Sequence, residues 1–146
     1  MVFSKTTAYG IRALAYLANQ SESQLCGLQE IAEKEQIPSA YLGKILGELR
    51  KHQLLRSVKG IHGGYELARP AEVITLWNIC EVLDPVVEYD ECILGLDSCN
   101  ETNACALHES WTPLRTEFIK LLKTKTIDQI AKSITNAEKH PAKDAA

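Results

Sequence analysis

Residues 28–69 carry the pattern that most restricts the fold. Two short amphipathic stretches, Leu28–Glu35 and Ser39–His52, are separated only by Gln36, Ile37 and Pro38. That is enough chain for a tight corner between two helices and little else. Pro38 suits the start of the second stretch, because its fixed φ and missing N–H are tolerated there. Leu28, Ile31 and Ala32 form the inward face of the first stretch, and Leu42, Ile45, Leu46 and Leu49 that of the second. Two apolar segments follow, Leu54–Val58 and Tyr65–Ala68, around a turn holding Gly60, Gly63 and Gly64. Such a pair reads as a β-hairpin. A helix over Ser4–Asn19 precedes the unit, its stripe being Ala8, Ile11, Ala15 and Ala18, broadened by Leu14 and Leu17. Helix, short helix, tight turn, helix, hairpin is the order of a winged helix-turn-helix.

Pro70 closes that unit, and the rest reads as a second segment. A helix spans Ile74–Leu83, with Leu76, Ile79, Cys80 and Leu83 on one side, and Pro85 stops it. Residues 86–104 lack helical periodicity. A long helix then runs from Cys105 to about Lys123 on a stripe of Trp111, Leu114, Phe118, Leu121 and Leu122. A shorter one spans Thr126–Ile134, capped by Thr126 with Gln129 three residues on. The polar tail 136–146 is expected to fray. The chain should thus be mainly α with a small β-hairpin: a winged helix-turn-helix domain over 1–72, a loop and helices over 73–135, and the tail.

The charge is distributed to match. The net charge of −3 excludes a uniformly basic nucleic-acid binder. Yet residues 44–69 hold six Lys or Arg against two acids, whereas 84–101 hold six acids and no Lys or Arg. The first segment can face phosphate and the second cannot. In a winged helix-turn-helix the third helix enters the major groove and the hairpin tip reaches backbone or minor groove. Ser39 and Tyr41 offer hydroxyls there, and Lys44 a donor for a guanine edge or a phosphate. Lys59, with His62 beside it, is placed for a narrowed minor groove. Arg50, Lys51 and Arg56 supply phosphate attraction that positions without reading sequence. Gly43 and Gly47 weaken the recognition helix by roughly 1 kcal/mol each relative to alanine, with no purpose visible in the sequence.

The five cysteines are an odd number for a disulfide framework. No apolar run reaches the ~20 residues of a membrane span, and no secretory signal is apparent, so a cytoplasmic protein with no membrane partner is expected. Clustered cysteines there point to metal binding or redox chemistry. Cys92, Cys99 and Cys105 follow a C-x6-C-x5-C pattern, with His108 three residues after the last. Gaps of that length let three thiolates converge, and a helix N-terminus beside Cys105 favours its thiolate form. Iron–sulfur chemistry fits such thiolates with a nitrogen ligand. Zinc, which usually takes closer cysteine pairs, and thiol-redox or inert cysteines remain alternatives. Cys26 and Cys80 sit among apolar residues and read as buried. No nucleophile–base pair or phosphate loop suggests an enzyme or a small-molecule substrate.

Four stretches resemble the Rrf2 family of bacterial transcription regulators: Ser-Lys-Thr-Thr-Ala-Tyr-Gly-Ile-Arg-Ala-Leu (4–14), Ile-Pro-Ser-Ala-Tyr-Leu-Gly-Lys-Ile-Leu-Gly-Glu-Leu-Arg (37–50), Val-Lys-Gly-Ile-His-Gly-Gly-Tyr-Glu-Leu-Ala-Arg (58–69) and Leu-Trp-Asn-Ile-Cys-Glu-Val-Leu-Asp (76–84) before the three cysteines. The resemblance implies a homodimer on promoter DNA, with the helix near 105–123 as the dimerisation helix. It also implies an iron–sulfur cluster on Cys92, Cys99 and Cys105, the loop lying close to the other subunit's DNA-binding domain. Members with this triad are similar to the iron–sulfur biogenesis regulator and the nitric-oxide-sensing repressor, whereas those governing cysteine metabolism generally lack it. The first gap is six residues where five is commoner. Where nitric-oxide sensors can carry a ligating carboxylate, Ala8 stands here, which points to His108 as fourth ligand and favours [2Fe–2S] over [4Fe–4S]. Ala40 and Gly43 replace polar site-selecting residues of the biogenesis regulator, so readout shifts toward Tyr41, Lys44 and the wing.

Overall fold

The computed structural model describes residues 2–84, 92–96 and 100–136. Helix α1, Lys5–Ala18, starts at Ser4, whose hydroxyl accepts the Thr7 N–H at 3.2 Å. It contacts α2, α3, α4, α6 and the hairpin and is buried on most of its circumference. Thr7, Gly10, Ile11, Ala13, Leu14, Ala15 and Leu17 are its buried residues. Of the expected stripe Ile11, Leu14, Ala15 and Leu17 are buried, whereas Ala8 and Ala18 are only half-buried and Thr7, Gly10 and Ala13 join the buried set, because a helix surrounded by neighbours has no single inner face.

Helix α2, Leu28–Glu35, stops where Gln36 turns left-handed at φ 55°. Ile37, 3 % exposed, pins the corner, and its N–H returns to the Ala32 carbonyl at 2.9 Å. Helix α3, Ser39–Lys51, follows with Pro38 as N-cap and buries the four residues its sequence period marks: Leu42, Ile45, Leu46 and Leu49. Strands β1, Leu55–Val58, and β2, Gly64–Leu67, pair antiparallel from Leu55↔Leu67 to Val58↔Gly64. Each lies one residue from its expected bounds. Cys26 adds a short bridge to Tyr65 on the same hairpin. A mainly helical chain with a two-stranded wing is the architecture expected.

Helix α4, Leu76–Leu83, begins at a capping box in which Thr75 and Asn78 exchange hydrogen bonds. Helix α5 spans His108–Thr124 and α6 Ile127–Asn136. The expected start of α5 at Cys105 is displaced to His108, because residues 105–107 form a turn closed by the His108 N–H on the Cys105 carbonyl at 3.0 Å. Before α6, Thr126 and Gln129 make the reciprocal cap that their spacing predicts. Backbone bonds Leu76 N–Lys125 O (3.0 Å) and Ile127 N–Ile74 O (2.8 Å) tie the α5–α6 corner to the start of α4. One core joins Leu14, Ile31, Leu46 and Leu54 to Ile74, Ile79, Leu122 and Ile127. Among the described residues no helix is long and apolar enough to cross a membrane. The tail beyond 136 lies outside the described residues.

Candidate nucleic-acid interface and cysteine loop

Burial of Leu42, Ile45, Leu46 and Leu49 fixes the rotation of α3 and turns the opposite face outward. On that face Ala40 and Lys44 are exposed and Ser39 is half-buried. Tyr41 is 39 % exposed; its ring meets Tyr9 edge-on at 5.7 Å, and its hydroxyl shares a hydrogen bond with Thr6. The recognition helix is thereby tied to the first turn of α1. A Cβ at Gly43 would meet Leu28 Cδ2 at an ordinary 3.6 Å, and one at Gly47 would meet nothing. The chain's own packing requires glycine at neither.

The cations sit as the charge pattern suggests. Lys44, Arg50, Lys51, Arg56 and Lys59 are all exposed, as is His62 at the hairpin tip. Lys51 pairs with Glu48 at 3.0 Å and Arg56 with Glu66 at 3.8 Å. Exposed pairs of this kind are worth about 0–1 kcal/mol and yield readily to a phosphate. Lys44, Arg50 and Lys59 form no ion pair among the described residues. Arg50 and Arg56 share a shallow cleft of about 470 Å³ with Gln53, Ser57 and Arg69. Arg69 was not singled out from the sequence; its place at the exit of β2, opposite two other arginines, was the available signal.

Two contacts lead from this face to the mouth of the cysteine loop. Thr7, fully buried, donates to Asp84 Oδ2 at 3.3 Å, and Asp84 caps α4 where that loop begins. One turn on, a Cβ at Gly10 would collide with Leu83 Cδ1 and lie 3.6 Å from Ile45 Cγ2. With glycine there, the last residue of α4 and the α3 helix meet α1 at one point, and a larger residue would have to displace the Leu83 side chain.

In the loop, Cys92 is buried at 8 % exposure, while Cys105 and His108 are half-buried. Cys99 lies outside the described residues. Cys92 opens one tight turn, its carbonyl accepting from Gly95 N at 2.8 Å, and Cys105 opens the turn that ends at His108. Among the described residues no three His, Cys, Asp or Glu form a metal-binding group. Two thiols and an imidazole nevertheless suit soft and borderline metals such as iron–sulfur clusters or zinc. Trp111 Nε1 and Thr112 Oγ1, in the first turns of α5, are buried and find no partner among the described residues. A bound acceptor or a second chain would satisfy such atoms. Cys26 and Cys80 are buried as expected, at 0 % and 1 % exposure. Burial, and then Glu30, push the Cys26 thiol up to about 12, which leaves it protonated and inert.

Helix α5 divides its apolar residues. Leu122 enters the core, and Phe118 packs against Phe3 with ring centres 6.1 Å apart. Leu107, Leu114 and Leu121 remain 43 %, 64 % and 43 % exposed. With Trp111 and Phe118 between them, they alternate at four and three residues along the chain, the spacing of a helix–helix seam.

Comparison with known proteins agrees with this geometry. The family model described as "Rrf2: Iron-dependent Transcriptional regulator" matches residues 3–133. A protein of Aquifex aeolicus assigned as an HTH-type transcriptional regulator is 37 % identical over 142 residues, covering 96 % of each chain. The HTH-type transcriptional regulator NsrR of Oceanobacillus iheyensis is 30 % identical over 134 residues, 91 % of each chain. Among solved structures, CymR, the global cysteine regulator of B. subtilis, superposes with a TM-score of 0.76 at 25 % identity, covering 91 % of this chain and 98 % of that one.

Proposed function

The chain belongs to the Rrf2 family of transcriptional regulators, DNA-binding proteins rather than enzymes, and on that premise we propose that it is a cytoplasmic, homodimeric regulator whose promoter binding follows an iron–sulfur cluster on Cys92, Cys99 and Cys105, with His108 as fourth ligand and [2Fe–2S] as the preferred form. The observation that carries this reading is the Cys105–His108 turn, set directly before a helix whose indole N–H at Trp111 is buried and finds no partner among the described residues. A thiol and an imidazole three residues apart at the start of a helix would supply two of the ligands such a cluster needs. Related Rrf2 members bind iron–sulfur clusters. When bound, a cluster supplies a redox- and ligand-sensitive centre whose state changes the charge and reach of the loop.

The rest is done by the chain. Residues 1–72 dock on DNA: Ser39, Tyr41 and Lys44 face the major groove, Arg50, Lys51 and Arg56 hold phosphates, and Lys59 and His62 reach from the wing. Residues 73–135 carry the loop and the seam of Leu107, Leu114 and Leu121, which a second copy covers. A loop rearrangement reaches α3 through Asp84–Thr7 and through Leu83–Gly10–Ile45. A few kcal/mol of preference between two positions of α3 suffices to switch occupancy.

The test is a visible spectrum with iron, sulfide and zinc content on protein purified without oxygen. Bands between about 320 and 480 nm with matching iron and sulfide, lost in Cys92→Ala, Cys99→Ala and Cys105→Ala, are expected. Unchanged colour in all three variants sinks the ligand assignment. The likeness to CymR favours a second reading, a zinc-stabilised or thiol-redox winged-helix repressor without a cluster. Colourless protein, with or without stoichiometric zinc, would select it.

A further inference from the structure

The hairpin tip holds a side chain that the fold does not use. Ile61 is 98 % exposed, more than any other large apolar residue described. It does not dangle. Gly63 N–H donates to the Gly60 carbonyl at 3.0 Å, so Ile61 and His62 are the two central residues of a closed four-residue turn. That turn is pressed against its own strand, since a Cβ at Gly63 would collide with the Val58 carbonyl oxygen. The tip is thus a firm mount that points an isoleucine away from the protein.

Its surroundings specify what it meets. Lys59 and His62 flank it, both exposed, and no acidic residue occurs from Leu55 to Tyr65. An apolar point between cations matches the minor groove, whose rim is phosphate and whose walls are sugar carbons. A lipid surface would also accept cations and an apolar residue, but even a whole myristoyl chain binds a membrane only marginally. One isoleucine is far too little for that.

We propose that Ile61 is an apolar wedge of the wing, entering the minor groove beside Lys59 and bending the operator. Its side chain has no hydrogen-bonding group and cannot read a donor–acceptor pattern. It reads how easily a base step opens, and so ranks flexible steps such as TA and CA/TG above stiff ones. Lys59 contributes charge and Ile61 contributes deformation. The inference rests only on DNA binding by the family and not on the cluster.

The experiment uses the full dimer and a duplex that the wild-type protein selects from a random-sequence pool. Affinity is measured against salt concentration, and bending by energy transfer between labelled duplex ends. Ile61→Ser should weaken binding about tenfold, reduce the bend and leave the salt slope unchanged, while Ile61→Leu retains both affinity and bend. Lys59→Ala should instead lower the slope by about one for each wing. The thermal midpoint of Ile61→Ser should equal that of wild type, because the side chain touches nothing in the fold. Equal affinity and equal bend in Ile61→Ser overturn the proposal. So does a loss accompanied by a reduced slope, which would leave phosphate contact as the tip's whole role.

Discussion

Leu14 and Leu114 both sit on the apolar stripe of a helix, yet the first is fully buried and the second is 64 % exposed. The contrast extends to the regions around them. In the winged half, Leu42, Leu46 and Leu49 are sealed within one chain. At and along α5, Leu107, Leu114 and Leu121 are exposed, and the adjoining Trp111 and Thr112 hold buried polar atoms that find no partner among the described residues. Burying a leucine is worth about 1.5–3 kcal/mol, and leaving a buried donor unmade costs about 1–3 kcal/mol. The core of the winged half is closed within one chain, by Ile74, Ile79, Leu122 and Ile127 of the second half. The outer face of α5 is left open, and on the proposed reading regulation uses that property: a region whose packing depends on what is bound can change with it.

The sharpest way to break this contrast is to make the same substitution in both halves. Leu14→Ala should cost about 2–5 kcal/mol in urea unfolding. Leu114→Ala with Leu121→Ala should leave each chain folded but shift the dimer to monomer in sedimentation. A double variant that remains dimeric would show that the seam is not an interface. A smaller effect tests the joint between the halves. Thr7→Val keeps the shape and removes the hydrogen bond to Asp84, at a cost of about 1 kcal/mol. It should also blunt the response of DNA affinity to the state of the loop, measured as the ratio of dissociation constants with the loop loaded and stripped. An unchanged ratio would remove Thr7 from the path.

The smallest effect separates the cysteines. Cys105, half-buried, should be alkylated in the folded protein once any bound metal is stripped, while Cys26 is spared. The Cys26 thiol is pushed up to about 12 from an ordinary value near 9. The folded chain therefore keeps a proton that the unfolded chain gives up, and stability present below pH 9 falls as the pH rises toward 12. Tyr16, raised first by its burial and then by Glu30, leans the same way. Cys26→Ala should flatten the decline in urea midpoint above pH 9 only in part; an unaltered decline would assign it all to Tyr16 and other groups.

What the sequence made legible follows the same divide. Four leucine and isoleucine positions of α3, the Gln36–Pro38 corner, the hairpin and the Thr126–Gln129 cap are local patterns, and local patterns survive in the fold because each satisfies its own hydrogen bonds or buries its own face. The face of α1 was legible only in part, its burial reaching Thr7, Gly10 and Ala13 because five neighbours are brought in by the chain's path, which no period records. Glu35 is a similar case. It is 6 % exposed in a helix that reads as charged, and it is tolerated because Arg12 reaches it from α1, 23 residues earlier. The cysteine spacing suggested a metal site, but the joint beside the loop could not be read from it: Thr7 and Asp84 stand 77 residues apart. Ile61 was passed over because an apolar residue between glycines has no periodic signature.

Gly10 has a consequence for inheritance. Helices α1, α3 and α4 touch there without a side chain between them, so a bulky replacement must push Leu83 aside and disturb the proposed joint while leaving both the DNA-facing residues and the cysteines in place. Alleles at this position should therefore be deaf rather than null: the promoter stays occupied or stays free whatever the cell reports, and their suppressors should arise as smaller residues at position 83 or 45.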